Sequence, residues 1–437
     1  AGDDADICFG YNSKNELIKK TDEYGNQERI QYNHGFVNKA GCKTLQKVTT
    51  DALNNITKEY YDALGRLVSL VRKNPQNKLL AATDYSYNAT GQKIKQIEHV
   101  VINGNIDHDY IIVWEYDLLD RITKLVEQPC TSEEKATCYT YDASGRIATL
   151  TKPDGVVLTH TYDALGRLAT LISSDGTVSY AYSYDLNNNP IEVKDEVYGL
   201  TSLYTYDRWN RTLSDGLKDK VSQSYRYDAL GRLTGITAPD NSLVAYSYQE
   251  SHLSGITWRG LEHSYTSFDM QGRPQKSMLM GKAGAHEQTW DKKGRLTNIT
   301  HAHYTHTVAS DGFDAVGNLK KQSFTDPLGH IESTFEYDDL YQLTSESGVQ
   351  THSYSNDSIS NRLAKNNASY TLDSANKLLN TSENAFVYDK NGNLIEHRSP
   401  TKSLKLAYDA LDRLISVDDG IQKTFYIYDN FHRRIAR

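Results

Sequence analysis

Short stretches in which apolar and polar residues alternate recur along this chain, separated by clusters of Asp, Asn, Gly and Ser. Residues 178–184, Val-Ser-Tyr-Ala-Tyr-Ser-Tyr, are typical, and they place Tyr180, Tyr182 and Tyr184 on one face. Alternation with a period of two predicts a β-strand, and the Asp/Gly clusters predict tight turns. The pattern therefore predicts hairpins of two strands of about seven residues each, with tyrosine rings positioned to stack across neighbouring strands.

One motif recurs at a fixed spacing. Tyr-Asp-Ala-Leu-Gly-Arg-Leu occurs identically at 61–67, 162–168 and 227–233, and from Tyr141 to Trp290 its looser copies follow every 20 to 22 residues. Asp opens a β-turn, Gly takes the positive-φ position and Arg-Leu starts the return strand. We interpret its residues as structural rather than catalytic: Tyr61, Asp62, Gly65, Arg66, Tyr162, Asp163, Gly166, Arg167, Tyr227, Asp228, Gly231 and Arg232.

The predicted fold class is all-β: tandem antiparallel hairpins forming a long ribbon that spirals into a hollow shell. Hydrophobic residues make up only 38% of the chain, which is too little to cover both faces of some thirty strands. A wall one sheet thick needs less apolar cover. By repeat regularity we divide the chain into irregular repeats (1–60), regular repeats (61–336) and shorter, degenerate repeats (337–437), where the motif steps shrink.

Charge and composition exclude several classes of function. The net charge of −8 is spread along the chain, which disfavours nucleic acid as a partner. No apolar run is long enough for a membrane span, and the first residues do not resemble a signal peptide. Export by a non-classical route stays open.

Candidate chemistry is sparse. His301, His303 and His306 are the best metal candidates, with His301 and His303 expected on one strand face, but a solvated histidine run is the simpler interpretation. Cys130 and Cys138 flank a polar hairpin tip and are either a disulfide or free thiols. Asp326-Pro327-Leu328-Gly329 is predicted to be a turn. We expect no cofactor and no enzymatic activity.

The repeated Tyr-Asp-x-x-Gly-Arg-Leu motif resembles the Rhs/YD-repeat family, which includes bacterial polymorphic toxins, the B and C components of Tc toxin complexes and, more distantly, the teneurins. The resemblance implies a shell that encloses a toxic polypeptide, with that polypeptide and a shell-completing protein as partners. It also implies an aspartyl-protease core and a toxin segment at the end of the array. No such segments follow the repeats in this sequence, which stops at Arg437. The alternative is a teneurin-like adhesion or carbohydrate-binding module at a cell surface.

Overall fold

The computed structural model describes residues 7–38 and 41–437, and these residues are folded almost entirely as antiparallel β-strands. They form two compact units, each made of two chain segments. Unit 1 comprises residues 1–134 and 288–382, and unit 2 comprises 135–287 and 383–437. Within the described residues the one helical element is a short 3-10 turn, Met280–Lys282, and no helix is long and apolar enough to cross a membrane.

The strands follow one another in chain order, and we number them accordingly. The first segment of unit 1 contains β1 (Cys8–Tyr11), β2 (Leu17–Thr21), β3 (Gln27–Val37), β4 (Lys43–Thr50), β5 (Ile56–Tyr61), β6 (Leu67–Lys73), β7 (Leu79–Tyr87), β8 (Lys93–Ile102), β9 (Asn105–Tyr116) and β10 (Ile122–Glu127). The first segment of unit 2 contains β11 (Lys135–Tyr141), β12 (Ile147–Thr151), β13 (Val157–Tyr162), β14 (Leu168–Ser173), β15 (Ser179–Tyr184), β16 (Pro190–Asp195), β17 (Leu200–Tyr206), β18 (Thr212–Leu217), β19 (Val221–Tyr227), β20 (Leu233–Thr237), β21 (Leu243–Gln249), β22 (His252–Trp258), β23 (Leu261–Phe268), β24 (Pro274–Leu279) and the start of β25 (Gly284–Trp290).

The second segments continue the same pattern with shorter strands. Unit 1 resumes with β26 (Leu296–His301), β27 (Tyr304–Thr307), β28 (Lys321–Asp326), β29 (Gly329–Tyr337), β30 (Leu343–Ser347), β31 (His352–Asn356), β32 (Arg362–Lys365), β33 (Ala368–Ser369), β34 (Thr371–Leu372) and β35 (Leu378–Asn380). Unit 2 ends with β36 (Ala385–Tyr388), β37 (Leu394–Arg398), β38 (Ser403–Tyr408), β39 (Leu414–Asp418), β40 (Lys423–Phe425), β41 (Ile427–Tyr428) and β42 (Arg434–Ala436). Strands β31 to β36 have two to five residues each, as the shrinking repeat steps predict. The three-part division by repeat regularity stays a prediction.

The repeat motif closes each hairpin in the same register. Tyr162 pairs with Leu168 across the turn that joins β13 and β14, and a bulge precedes this pair. Tyr61 with Leu67 and Tyr227 with Leu233 repeat the arrangement. Since successive strands pair antiparallel along the chain, backbone hydrogen bonds are satisfied between neighbours in sequence.

Fully buried apolar side chains are few. The main cluster, in unit 2, consists of Leu158, Val178, Tyr180, Val193, Tyr204 and Ala410. In unit 1 the buried apolar residues include Val100, Val101 and Val126. Such small clusters agree with the low apolar content of the sequence, because most side chains on this ribbon keep one side in contact with water.

Candidate functional site: repeat turns and seams

Each repeat turn is held by the aspartate that opens it. In the turn after β13, one carboxylate oxygen of Asp163, Oδ1, accepts hydrogen bonds from the backbone amides of Leu165 and Arg167, both at 2.9 Å. The other oxygen, Oδ2, accepts the Nε–H of Arg167 at 2.7 Å. These bonds stabilise the ionised carboxylate, so the pKa of Asp163 lies below its usual value, chiefly because of the Arg167 amide. Asp142 and Asp228 show the same shift for the same reason.

The motif arginine and tyrosine join one repeat to the next. The guanidinium of Arg167 lies over the ring of Tyr184, 4.6 Å from its centroid, and donates to the backbone oxygen of Asp185 at 3.0 Å. The Tyr184 hydroxyl donates to the backbone oxygen of Leu168 at 2.8 Å. The same tyrosine-to-backbone hydrogen bond recurs at Tyr87, Tyr162, Tyr206, Tyr227, Tyr248, Tyr337 and Tyr428. Each repeat thus supplies half of a connection that its neighbour completes.

The motif glycine occupies the left-handed region. Gly166 has φ of 85° and Gly231 has φ of 83°, where a side chain is strained. A Cβ added at Gly166 would also lie 3.1 Å from Nη1 of Arg146, the arginine of the preceding repeat. The glycine therefore serves both the turn and the packing of the arginine beside it.

Within each unit, turns of the later segment dock onto turns of the earlier one. We call each such line of contacts a seam. In unit 2 the turn at Asp409 meets the second turns of earlier repeats: the Ala410 amide donates to Thr177 Oγ1 at 2.8 Å, and Lys152 Nζ donates to the Ala410 oxygen at 2.9 Å. In unit 1 the Ser358 amide donates to the Val101 oxygen at 3.0 Å.

Other contacts continue both seams. In unit 1, Asn55 donates to the Asp339 oxygen, Asn74 to the Asp339 carboxylate, and Lys377 pairs with Glu133 at 2.8 Å. In unit 2, Asn391 donates to Asp154, and Tyr204 donates to Asn430. Most seam contacts are polar, which explains how segments distant in sequence are joined by a chain with little apolar surface.

A buried ion pair lies at the unit 2 seam. Asp409 and Arg413 stand in the same motif positions as Asp163 and Arg167, but their side chains are only 3% and 7% exposed. Arg413 donates to Asp409 Oδ2 at 2.6 Å, to the Tyr180 hydroxyl at 2.9 Å and to the Asp429 oxygen at 3.1 Å. At this seam the motif ion pair is therefore buried, and the hydrogen bonds that Arg413 donates to Asp409, Tyr180 and Asp429 all lie within unit 2.

A cavity of about 350 Å³ adjoins this seam, lined in part by Asp215, Gln223, Arg433 and Arg434. Its charged groups are engaged with one another. Arg433 pairs with Asp215 at 2.5 Å, and the Tyr225 hydroxyl donates to the same carboxylate at 2.9 Å. Burial, followed by this hydrogen bond, raises the pKa of Tyr225 to about 12. The arrangement neutralises the carboxylate and offers no activated nucleophile among these four residues and Tyr225.

Unit 1 contains a histidine held between two carboxylates. On three adjacent strands, His99 Nδ1 lies 2.7 Å from Asp109 Oδ1, and His99 Nε2 lies 3.1 Å from Asp84 Oδ2. Burial lowers the pKa of His99, but the hydrogen bonds to Asp84 and Asp109 outweigh it, so the pKa lies above its usual value. The imidazolium can donate to both carboxylates at once, which only the protonated ring can do.

The metal candidates are not arranged as expected. His301 ends β26, whereas His303 lies in the turn that follows, so the two do not share a strand. Their ring centroids are 5.4 Å apart, and His306 Nε2 is 2.9 Å from Gln322 Oε1. The difference arises because β26 turns after His301 and pairs it with Tyr304. Within residues 7–38 and 41–437 no group of three or more His, Cys, Asp or Glu is placed to hold a metal ion.

The remaining candidates lie at turns or near them. Asp326 Oδ1 accepts the amides of Leu328 and Gly329, so Asp326 to Gly329 forms the turn between β28 and β29. Cys130 is exposed with φ of 63°, and Cys138 is half-buried in β11. Both are thiols in this structure, and their disulfide stays a prediction for oxidised protein.

Two family models match parts of the chain. Residues 141–178 and 162–197 match the RHS Repeat model, and residues 286–437 match the Teneurin YD-shell model. These segments are Rhs/YD repeats. The resemblance predicted from the motif is therefore confirmed. No curated protein matches the chain in sequence.

Solved structures match the chain over 98% of its length. The crystal structure of TcdB2-TccC3-Cdc42 matches with a TM-score of 0.69 at 16% identity, and the chain covers 26% of it. The Tc holotoxin pore of Photorhabdus luminescens, with a mutation in TccC3, matches with a TM-score of 0.55 at 14% identity and 25% coverage. The chain thus spans about a quarter of the solved chains. The predicted all-β class of tandem antiparallel hairpins is confirmed.

Proposed function

We propose that this chain forms part of the wall of a hollow Rhs/YD-repeat shell that encloses a toxic polypeptide of a secreted bacterial toxin until delivery. The observation that carries the proposal is the match to TcdB2-TccC3-Cdc42 over 98% of the chain. The seams support it, because they join distant parts of each unit edge to edge with few apolar residues. A ribbon closed in this way can separate a lumen from bulk water.

The proposed partners are the enclosed polypeptide and a further protein or chain segment that completes the shell. The similar solved structures are themselves complexes of TcdB2 with TccC3, which supports a wall built from more than one component. We further propose that the assembled particle is exported by toxin-delivery machinery or by another non-classical route.

The test is protease protection in the native assembly. The chain is co-purified from its source with the proteins encoded beside it, and the complex is treated with trypsin. We expect a cargo polypeptide to survive at a concentration that digests it within minutes once it is released with denaturant. A cargo that is cleaved equally fast inside and outside the complex, or a complex without cargo, would contradict enclosure.

A second candidate is an adhesion or carbohydrate-binding module, favoured by the match of residues 286–437 to the Teneurin YD-shell model. The exposed Trp209, whose ring lies against Arg208 and Arg211, offers a platform of the kind that sugars stack on. Saturable binding of the labelled chain to cells, lost in Trp209→Ala and unaffected by loss of cargo, would favour this function over enclosure.

A further inference from the structure

Consecutive repeat turns of unit 2 carry large apolar side chains at their tips. Leu165 and Leu230 are 73% and 77% exposed, Leu186 is completely exposed, and Trp209 is more than half exposed. We call these four side chains the tip row. Large apolar side chains exposed on successive turns are candidates for an interaction site.

The tip row is a continuous, ordered edge. Arg167 donates to the Asp185 oxygen, Asn189 to Asn210 Oδ1 at 2.9 Å, and Arg211 to the Asp228 oxygen at 3.5 Å, so each turn is fastened to the next. Because neighbouring turns are two strands apart, successive tips recur about every 10 Å. The opening aspartates are neutralised by Arg167, Arg211 and Arg232 or bonded by Asn189, so their carboxylates are engaged within their own turns.

The chain itself shows what covers such a tip. In unit 2 the sequence Tyr-Asp-Ala-Leu occurs at 162–165, at 227–230 and again at 408–411. In the last copy Ala410 is buried and Leu411 packs against the main apolar cluster. The tip is docked on second turns that supply Lys152, Thr177 and Val178.

The free copies lack this cover. Leu165 and Leu230 are exposed although they share Tyr-Asp-Ala-Leu with the docked tip, and they differ from it at the next residue, which is Gly in both free copies and Asp412 in the docked one. Among the described residues, no hydrogen bond is donated by the amides of Ala164 or Ala229, the positions equivalent to the Ala410 amide that binds Thr177. The same four residues, Tyr-Asp-Ala-Leu, therefore exist in a covered and an uncovered state within one unit.

Unit 2 also has exposed second turns, which are the kind of turn that covers the docked tip. The second turns Ser399–Lys402 and Asp419–Gln422 follow one another along one edge. Ile421 is 96% exposed, and Lys402, paired with Asp419, keeps about half of its side chain in solvent. These turns thus offer an apolar side chain and a lysine, as the second turns of Val178 and Lys152 do in the docked contact.

We propose that the tip row binds the second-turn edge of a second copy of this chain, around Ile421. The contact is head-to-tail, since it joins two different surfaces, so each copy keeps one free edge of each kind and association can continue. The proposal concerns the edges of the ribbon and does not depend on what the ribbon encloses.

The test is sedimentation velocity of the whole chain over a concentration series. The tip variant, Leu165→Asp with Leu230→Asp, removes one edge, and Ile421→Asp removes the other. Ile172→Asp, at an exposed position on the face of β14, is the matched control. We expect the unmodified chain and the control to associate with increasing concentration, and each edge variant alone to associate at least about tenfold more weakly. Circular dichroism checks that all variants are folded.

Mixing the variants distinguishes specific docking between the two edges from nonspecific hydrophobic association. The tip variant keeps an intact Ile421 edge, and Ile421→Asp keeps an intact tip row, so their equimolar mixture should form one-to-one dimers that do not grow further. Folded unmodified chain that stays monomeric at every concentration would overturn the proposal. So would equal weakening by Ile172→Asp, or a mixture that behaves like its separate components.

Discussion

Replacing Arg413 tests whether seam docking turns the repeat's surface ion pair into an essential interior one. Arg413→Met keeps the length and apolar stem of the side chain but leaves the Asp409 carboxylate, 3% exposed, with backbone amides as its hydrogen-bond donors. Removing one partner of a buried pair costs about 3–5 kcal/mol. In a unit of about two hundred residues, this lowers the Tm by about 6–20 °C.

Arg167→Met is the internal control, because the side chains of the same motif pair there are more exposed, 22% for Arg167 and 27% for Asp163. Its pair with Asp163 and its position over Tyr184 are more open to water than the contacts of Arg413, so we expect a smaller loss of stability. Arg413→Asn is the second control, since Asn361 already bonds the buried Asp357 in an equivalent turn at 2.8 Å. We expect thermal unfolding followed by circular dichroism to rank the losses as Arg413→Met, then Arg413→Asn, then Arg167→Met. Equal losses in both methionine variants would refute the argument from burial.

Four further predictions follow from the turns and the charged groups. Gly166→Val should destabilise the protein by about 1–3 kcal/mol, because valine is strained at φ of 85°; an unchanged Tm would contradict this, and Leu165→Thr in the same turn is the control. His99 has a raised pKa, so its stabilising effect is complete below about pH 6.5 and is lost as the pH rises through the raised value. Over that pH range the Tm of the unmodified chain should fall more than the Tm of the His99→Gln variant. Parallel curves of Tm against pH for the two proteins would refute the bridging role of His99. Cys130 and Cys138 should be disulfide-linked in oxidised protein, and a non-reduced digest that shows both as thiols would exclude the bond. The chain alone should keep its intact mass during long incubation at mild pH, whereas specific scission would show that the Asp326 turn is more than a turn.

The hairpin ribbon could be predicted from the sequence because its determinants are local. Asp163, Gly166 and the alternation in β15 specify turn and strands within some twenty residues, and the period repeats them. Two features could not be predicted. The tyrosines were expected to stack on one another, yet Tyr184 lies under Arg167 and caps a backbone oxygen, which depends on the bulge that precedes it. The seams join Lys152 to Asp412, which stands where the free turn has Gly166. Its partner lies 260 residues away, so the sequence around Asp412 does not show that this turn is docked.

The seams also determine the order in which this protein must fold. Each hairpin brings together residues that are close in sequence, so it forms fast and independently of the others. A seam contact such as Asp51 to Tyr341 closes a loop of 290 residues, and Lys152 to Asp412 closes one of 260. Closing such long loops costs conformational entropy, and this cost opposes the formation of the seams rather than of the hairpins. Refolding should therefore pass through an open ribbon with its hairpins already formed, and the joining of distant edges is the slow, final step.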